Sequence, residues 1–192
     1  LVEELFHHTE QNILLLAFTN RAVDEICDKL DQLSLNYFRL GFGDEKRQQV
    51  WKSLVRERNF NQIKQYFQDL RIVVSTVSSY LSNQSKFLFK PFHTAIVDEA
   101  SQLLEPYLAS ILVHVERFIL IGDEKQLPAV VTQPSHSSRV KDPLLNQLGI
   151  KDLSRSLFER LLERCRSQGW SHAVGMITHH GRMHSQLAEF VN

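Results

Sequence analysis

The chain has 192 residues, 43% of them hydrophobic, which is enough apolar material for one domain with a full core. Lysine plus arginine and aspartate plus glutamate both number 22, so the formal net charge is zero. This balance excludes the diffuse basic field that draws proteins to nucleic acids or anionic membranes, although a local binding groove remains compatible with it.

Short apolar runs alternate with helical patterns along the chain, and such runs are typical of strands covered on both faces. Strands are predicted at residues 13–18, 72–76, 94–97 and 118–121. Two helical regions between the first two strands repeat apolar residues on one face: Ala22, Val23, Ile26, Leu30 and Leu33, then Val50, Leu54, Ile63 and Phe67. Residues 132–142 are predicted as a polar loop, and residues 153–169 as a helix that ends at Gly169. The alternation predicts an α/β fold with a mainly parallel sheet.

The cysteines and the apolar runs indicate the compartment. Cys27 and Cys165 are far apart and form no CxxC or metal pattern. No signal peptide opens the chain, and no apolar run is longer than a strand. The sequence therefore predicts a cytoplasmic protein with reduced thiols and no membrane partner.

Polar residues follow the third and fourth predicted strands, at the edge of the sheet where parallel α/β folds bind ligands. Asp98 and Glu99 leave the third strand, where one carboxylate can hold Mg²⁺ through water while the other orients an attacking water. Gln126 follows the fourth strand, and its neutral amide can donate to a phosphate and accept from a water. The alternative for the first site is that Asp98 or Ser101 only caps the next helix.

Hydroxyl and amide side chains follow the first two predicted strands. Thr19 and Asn20 lie where a helix begins, and the N-terminus of a helix attracts phosphate. Ser75 and Thr76 leave the second strand in the same way. Both pairs are candidate nucleic-acid contacts, and Asn20 is also suited to cap its helix.

Five segments resemble, in order, the motifs of superfamily 1 DNA and RNA helicases, in the group of the RNA-surveillance helicases and the replication helicase-nucleases. Residues 94–106 (TAIVDEASQLLEP) resemble motif II, and residues 118–130 (FILIGDEKQLPAV) resemble motif III. Residues 13–26 are similar to motif Ia, and residues 72–81 are similar to the nucleic-acid-contacting segment that follows it. Residues 156–162 and 177–192 are similar to the segment that ends in motif IV. The resemblance implies a P-loop NTPase fold of the RecA-like, three-layer type, with residues 1–192 forming part of the first RecA-like domain.

Two parts of that family's motor do not occur in the 192 residues, namely the phosphate loop G-x-x-x-x-G-K-[ST] and motifs V and VI. The resemblance therefore implies a fragment without the phosphate-loop strand, which works with a second RecA-like domain in a longer parent protein. The parent is expected to use ATP and Mg²⁺ as a helicase or translocase on single-stranded DNA or RNA, whereas the isolated chain is expected to be inactive. The alternative is a non-catalytic nucleic-acid-binding or assembly module. A sheet edge left open by a missing strand also predicts self-association.

The resemblance assigns roles residue by residue. It implies that Asp98 binds Mg²⁺ through water, that Glu99 is the general base, and that Gln126 contacts the γ-phosphate and the attacking water. Arg182 matches an arginine that approaches the γ-phosphate from the interdomain side. Pro128 is expected to pack against a sugar or a base, or to stiffen its loop. The loop that contains Gln126 is expected to relay the presence of the γ-phosphate to the nucleic-acid cleft.

Overall fold

A computed structural model describes residues 1–41, 56, 59–87, 90–126 and 128–177 of the chain. Contacts divide the chain into two units, Leu1–Arg160 and Leu161–Asn192, and the whole sheet lies in the first. In the second unit, the described part consists of the end of a helix and a short 3₁₀ turn. Every helix in the described part of the chain is too short or too polar to cross a bilayer.

Strands and helices alternate through the first unit. The described strands are β1 (Ile13–Ala17), β2 (Tyr37–Leu40), β3 (Ile72–Thr76), β4 (Phe92–Val97) and β5 (Val115–Leu120). The described helices are α1 (Val2–His8), α2 (Asn20–Gln32), α3 (Phe60–Asp69), α4 (Val77–Asn83), α5 (Glu105–Leu112), α6 (Ser135–Ser138), α7 (Pro143–Gln147) and α8 (Leu157–Ser167). Short 3₁₀ turns lie at Gln84–Phe87, Ala100–Gln102 and Ser171–Ala173.

The described strands all pair in parallel, and their order in the sheet is β2-β3-β1-β4-β5. The predicted α/β fold with a parallel sheet is therefore confirmed. β1 is central, and Leu16 lies beside Ser75 of β3 on one side and Val97 of β4 on the other. Because the strands run in one direction, the residues that follow them gather at one edge of the sheet, which we call the carboxyl edge.

Helix α2 covers one face of the sheet and contributes three buried residues to the core there. Its buried residues Val23, Cys27 and Leu30 pack with apolar side chains of the strands, among them Ile13, Leu15, Ile72 and Val74. Every residue of β1 and β3 is buried, as expected for strands covered on both faces. The sheet therefore provides a rigid platform for the carboxyl edge.

The amino edge of the sheet is closed by a polar network. The buried Lys90 donates from Nζ to Asn12 Oδ1 and to the Gln68 carbonyl, both at 3.3 Å, and burial lowers its pKa to about 8. Asn12 also donates from its backbone N–H to His93 Nδ1 at 3.0 Å. These groups bond to one another, so this edge is occupied by structural contacts.

The structure corrects several sequence predictions. Strand β2 was missed because its sequence, YFRL, contains an arginine, and β5 begins at Val115 because an edge strand tolerates the polar Glu116 and Arg117. Leu33 is the C-cap that follows α2 and is 43% exposed, so it does not belong to the core face. The predicted polar loop contains the single turn α6, and the predicted C-terminal helix begins only at Leu157. In the second helical region, Val50 and Leu54 lie outside the described residues.

Gly169 agrees with another expectation from the sequence. Gly169 follows α8 with φ +67°, a left-handed conformation that favours glycine, so the predicted helix stop is confirmed.

β5 ends the order of described strands, and Phe118 on it is 45% exposed. Self-association through this strand stays a prediction, which sedimentation at several concentrations would check.

Candidate functional site

Asp98 and Glu99 form a sharp turn directly after β4. Glu99 has φ +53°, a left-handed conformation that costs a residue with a side chain about 1 kcal/mol or more. Asp98 Oδ1 accepts from the Glu99 N–H at 3.1 Å, and Glu99 Oε2 accepts from Gln102 Nε2 at 3.2 Å. The second oxygen of each half-buried carboxylate has no hydrogen bond to a described residue. Asp98 Oδ2 and Glu99 Oε1 are thus available to accept hydrogen bonds at the carboxyl edge.

The helix-cap alternative does not describe this turn. Helix α5 begins at Glu105, and its N-cap residue Leu104 makes no side-chain cap. Asp98 bonds to its neighbour, and Ser101 lies in the 3₁₀ turn, so neither residue caps α5.

Gln126 lies in the exposed loop that follows β5. Its backbone N–H donates to the Asp123 carbonyl and its Nε2 donates to Asp123 Oδ2, both at 3.3 Å. Asp123 Oδ1 also accepts from the Lys125 N–H at 2.9 Å. Asp123 therefore organises the loop and holds one end of the Gln126 amide.

The turn after β4 and the loop after β5 are bonded to each other. Ile121 donates to the Val97 carbonyl and accepts from the Ala100 N–H, both at 2.8 Å. The buried Ser101 Oγ accepts from the Asp123 N–H at 3.4 Å. A Cβ on Gly122 would lie 3.0 Å from Ser101 N, so this close approach favours glycine. These hydrogen bonds join the two segments directly.

Thr19 and Asn20 form the exposed start of α2, directly after the central region of the sheet. Thr19 is the N-cap, because its Oγ1 accepts from the Ala22 N–H at 3.2 Å. Asn20 is the first helical residue and not the cap, which corrects the capping alternative. Its Oδ1 instead accepts from Arg39 Nη2 at 3.3 Å.

Ser75 and Thr76, at the end of β3, are both buried. Ser75 Oγ donates to the Thr76 carbonyl at 2.9 Å, and Thr76 Oγ1 caps α4 by accepting from the Ser79 N–H at 3.1 Å. Ser75 Oγ also bonds to the Leu40 carbonyl of β2 at 3.5 Å, so both hydroxyls are engaged within the protein. Their contact with nucleic acid stays a prediction, and their structural role is to shape the edge beside Thr19.

Arg39 of β2 belongs to this edge and was missed by sequence reasoning. The side chain of Arg39 is only 2% exposed, and it bonds to both Asn20 and Asp24 of α2. A single arginine in a short amphipathic stretch carries no signal of burial, because arginines in strands usually reach solvent. The pairing of β2 with β3 places it under α2.

Comparison with known proteins matches the elements that form this edge. A family model described as an AAA domain matches residues 42–134, which contain β3, β4 and β5. The chain is 29% identical over 188 residues to the DNA replication ATP-dependent helicase/nuclease DNA2 of Gallus gallus, a match that covers 94% of this chain and 17% of that protein. It is 28% identical to the DNA replication ATP-dependent helicase/nuclease JHS1 of Arabidopsis thaliana, and that match covers 94% of this chain and 12% of that protein. It is 32% identical to the DNA replication ATP-dependent helicase/nuclease dna2 of Schizosaccharomyces pombe, and that match covers 81% of this chain and 10% of that protein.

The chain is part of a superfamily 1 helicase motor. The resemblance found in the sequence motifs and the expected RecA-like α/β fold are both confirmed. The chain spans about a sixth of the length of the DNA2 relatives from Gallus gallus and Xenopus laevis.

Two predicted site residues of the helicase motor remain to be placed. Pro128 is exposed, two residues after Gln126, at the carboxyl edge. Arg182 lies outside the described residues, so its role stays a prediction. Among the described residues, no cluster of three or more histidine, cysteine or acidic side chains is suited to hold a metal ion.

Proposed function

We propose that this chain contributes half of the ATP site and part of the nucleic-acid track of an ATP-driven translocase on single-stranded DNA. The observation that carries the proposal is the bonded pair of segments after β4 and β5, where Ser101 joins the Asp98–Glu99 turn to the Gln126 loop. Asp98 N–H also donates to the Leu16 carbonyl of β1 at 2.8 Å, which ties the same turn to the strand leading into Thr19 and Asn20.

The carboxylates at the turn fit Mg·ATP by their donor chemistry. Mg²⁺ prefers oxygen ligands and usually keeps several waters beside one or two carboxylates and the phosphates. Asp98 Oδ2 is available for such a water because Oδ1 is bonded to the Glu99 N–H. When bound, Mg·ATP supplies the phosphoryl group and the metal charge that neutralises it.

Glu99 and Gln126 act on the attacking water in this proposal. Gln102 holds Glu99 Oε2, so Oε1 is the atom that takes the proton of the water. Asp123 holds Gln126 Nε2, so Oε1 of that amide accepts a hydrogen bond from the water. Arg182 stabilises charge on the γ-phosphate from the side of a second RecA-like domain.

The nucleic-acid strand runs along the carboxyl edge past Thr19 and Asn20, with Pro128 against a sugar or base. The exposed Asn20 amide and the first turn of α2 together favour a backbone phosphate. DNA is favoured over RNA because the relatives named above are described as DNA replication proteins. The alternative is a non-catalytic binding module, which would bind single strands without turnover.

Hydrolysis tests the proposal and separates it from the alternative. The complete protein that contains this chain is expected to hydrolyse ATP with Mg²⁺, and single-stranded DNA is expected to stimulate the rate. The purified 192-residue chain is expected to show no hydrolysis, because no segment in it matches the lysine-containing loop that grips the β- and γ-phosphates. Steady-state assays with and without single-stranded DNA or RNA check both expectations. DNA-stimulated turnover by the 192 residues, or none by the complete protein, would contradict them.

Gln126→Ala in the complete protein is expected to uncouple ATP from DNA affinity. Gln126 Nε2 donates to Asp123 with one N–H, so its second N–H can donate to a γ-phosphate that ADP lacks, and its contacts therefore differ between nucleotide states. The measurement is single-strand affinity with a non-hydrolysable ATP analogue and with ADP. Coupling of this kind changes affinity by roughly 5- to 150-fold, and the ratio of the two affinities is expected to approach one in the variant.

The matched control is Gln65→Ala. Gln65 makes the same kind of contact, donating from Nε2 to Asp69 Oδ1 at 2.8 Å, but on the surface of α3. It is expected to leave the ratio of affinities unchanged. An unchanged ratio in Gln126→Ala as well would show that this glutamine only stabilises its loop.

A further inference from the structure

Arg39 is a buried guanidinium beneath the start of α2. It lies opposite Val74 in the β2-β3 pair, and Val74 belongs to the core that α2 covers. Its side chain is 2% exposed, so it cannot itself reach a nucleic acid that passes along the carboxyl edge. Any influence of Arg39 on such a ligand must pass through a residue that it touches.

The hydrogen bonds of Arg39 are incomplete for a buried arginine. Nε donates to Asp24 Oδ1 at 2.9 Å and Nη2 donates to Asn20 Oδ1 at 3.3 Å. Nη1 is buried and has no hydrogen-bond partner in the described structure. An unsatisfied buried nitrogen weakens the fold, so stability alone does not account for an arginine here.

The contact with Arg39 fixes which way the Asn20 amide faces. A guanidinium has only donors, so it bonds to the oxygen of an amide and turns the nitrogen away. Thr19 already caps α2, which leaves the Asn20 side chain without a capping role. Asn20 is exposed, and its Nδ2 makes no hydrogen bond to a described residue. Two N–H donors therefore remain available beside the first turn of α2.

We infer that Arg39 is a positioning residue that holds the Asn20 amide with its N–H groups toward the nucleic-acid track, where they donate to a backbone phosphate. Phosphate oxygens only accept hydrogen bonds, so a flipped amide would present an oxygen and repel them. The Asp24 carboxylate balances the charge of Arg39, which leaves orientation as its contribution. This inference rests on the proposed binding of single strands at the carboxyl edge.

Single-strand affinity of variants of the complete protein tests the inference, with a fluorescein-labelled oligo-dT of about 16 nucleotides as the probe. Arg39→Lys keeps the charge but loses the two-pronged contact, and it is expected to weaken binding about tenfold, the effect of one hydrogen bond to a charged group. Asn20→Ala is expected to weaken binding by a similar factor. In the Asn20→Ala background, Arg39→Lys is expected to change affinity less than about twofold, because the two residues act as one unit.

Two further variants separate positioning from stability. Asn20→Asp keeps an oxygen for Arg39 and so preserves the fold, but it removes the N–H donors and is expected to weaken binding at least as much as Asn20→Ala. Arg71→Lys is the matched control at the amino edge, where Arg71 donates to the backbone carbonyls of Thr9 and Gln11. It is expected to lower resistance to urea without changing affinity for oligo-dT.

The other possible results contradict either the proposed function or the inference about Arg39. If the wild type does not bind oligo-dT, the proposed function fails and the inference fails with it. If the wild type binds but Asn20→Asp binds equally well, only the inference fails. Independent losses in Arg39→Lys and Asn20→Ala that multiply in the double variant would also overturn it, because Arg39 would then act without Asn20.

Discussion

Glu99→Gln in the complete protein is expected to lower kcat for ATP hydrolysis by about 10²–10⁴-fold while leaving Mg·ATP binding intact. The substitution removes the proton acceptor at Oε1 but keeps an oxygen that can accept from Gln102 Nε2, so the left-handed turn at residue 99 is preserved. Asp98→Asn is expected to weaken both hydrolysis and Mg·ATP binding, because the oxygen proposed to face a metal-bound water loses its charge.

Nucleotide binding and hydrolysis must be measured separately to test these roles. Displacement of a fluorescent ATP analogue at several Mg²⁺ concentrations reports binding, and steady-state turnover with single-stranded DNA reports hydrolysis. Glu116→Gln is the control, since Glu116 is an exposed carboxylate on β5 away from the turn, and it is expected to match the wild type. Equal loss of nucleotide binding in Glu99→Gln and Asp98→Asn would show that the two roles are assigned wrongly.

Arg160→Met is expected to lower the free energy of unfolding of the chain by about 3–5 kcal/mol, the usual effect of stranding one buried charge. Arg160 donates from Nε to Glu105 Oε2 at 2.8 Å and from Nη2 to Glu105 Oε1 at 2.5 Å, and the two side chains are 18% and 7% exposed. Arg160 Nη1 also donates to the Leu148 carbonyl at 3.3 Å, so one guanidinium joins α5, α8 and the segment after α7.

A matched surface pair and a double variant show whether burial is the cause. The Arg21–Glu25 pair has side chains that are 90% and 56% exposed, so Arg21→Met is expected to cost less than about 1 kcal/mol. Replacing both Arg160 and Glu105 by methionine is expected to restore much of the stability, because no unpaired charge remains buried. Urea unfolding followed by circular dichroism gives these values. A loss in Arg160→Met no larger than in Arg21→Met would contradict the expectation.

The sequence by itself determined the strands that are buried on both faces and the positions of the residues that follow them. β1, β3 and β4 are apolar without interruption or nearly so, and such a run has few alternatives to a central strand in an α/β fold. Once those strands are parallel, Asp98, Gln126 and Thr19 must share one edge, whatever the details of packing. The same logic failed for β2 and for the start of β5, because strands at the ends of the described sheet are less constrained to be apolar.

Only the tertiary structure decided which side chains orient the candidate site. Arg39 meets Asn20 across 19 positions, Asp123 meets Ser101 across 22, and Arg160 meets Glu105 across 55. No periodicity in the sequence encodes such pairs, since each depends on the strand order and on how closely a helix approaches the sheet. The left-handed turn at Glu99 is likewise invisible in the sequence, because an ordinary residue adopts it only when surrounding contacts hold it there. Local residue chemistry thus specifies where the site lies, and long-range packing specifies which atoms face the ligands.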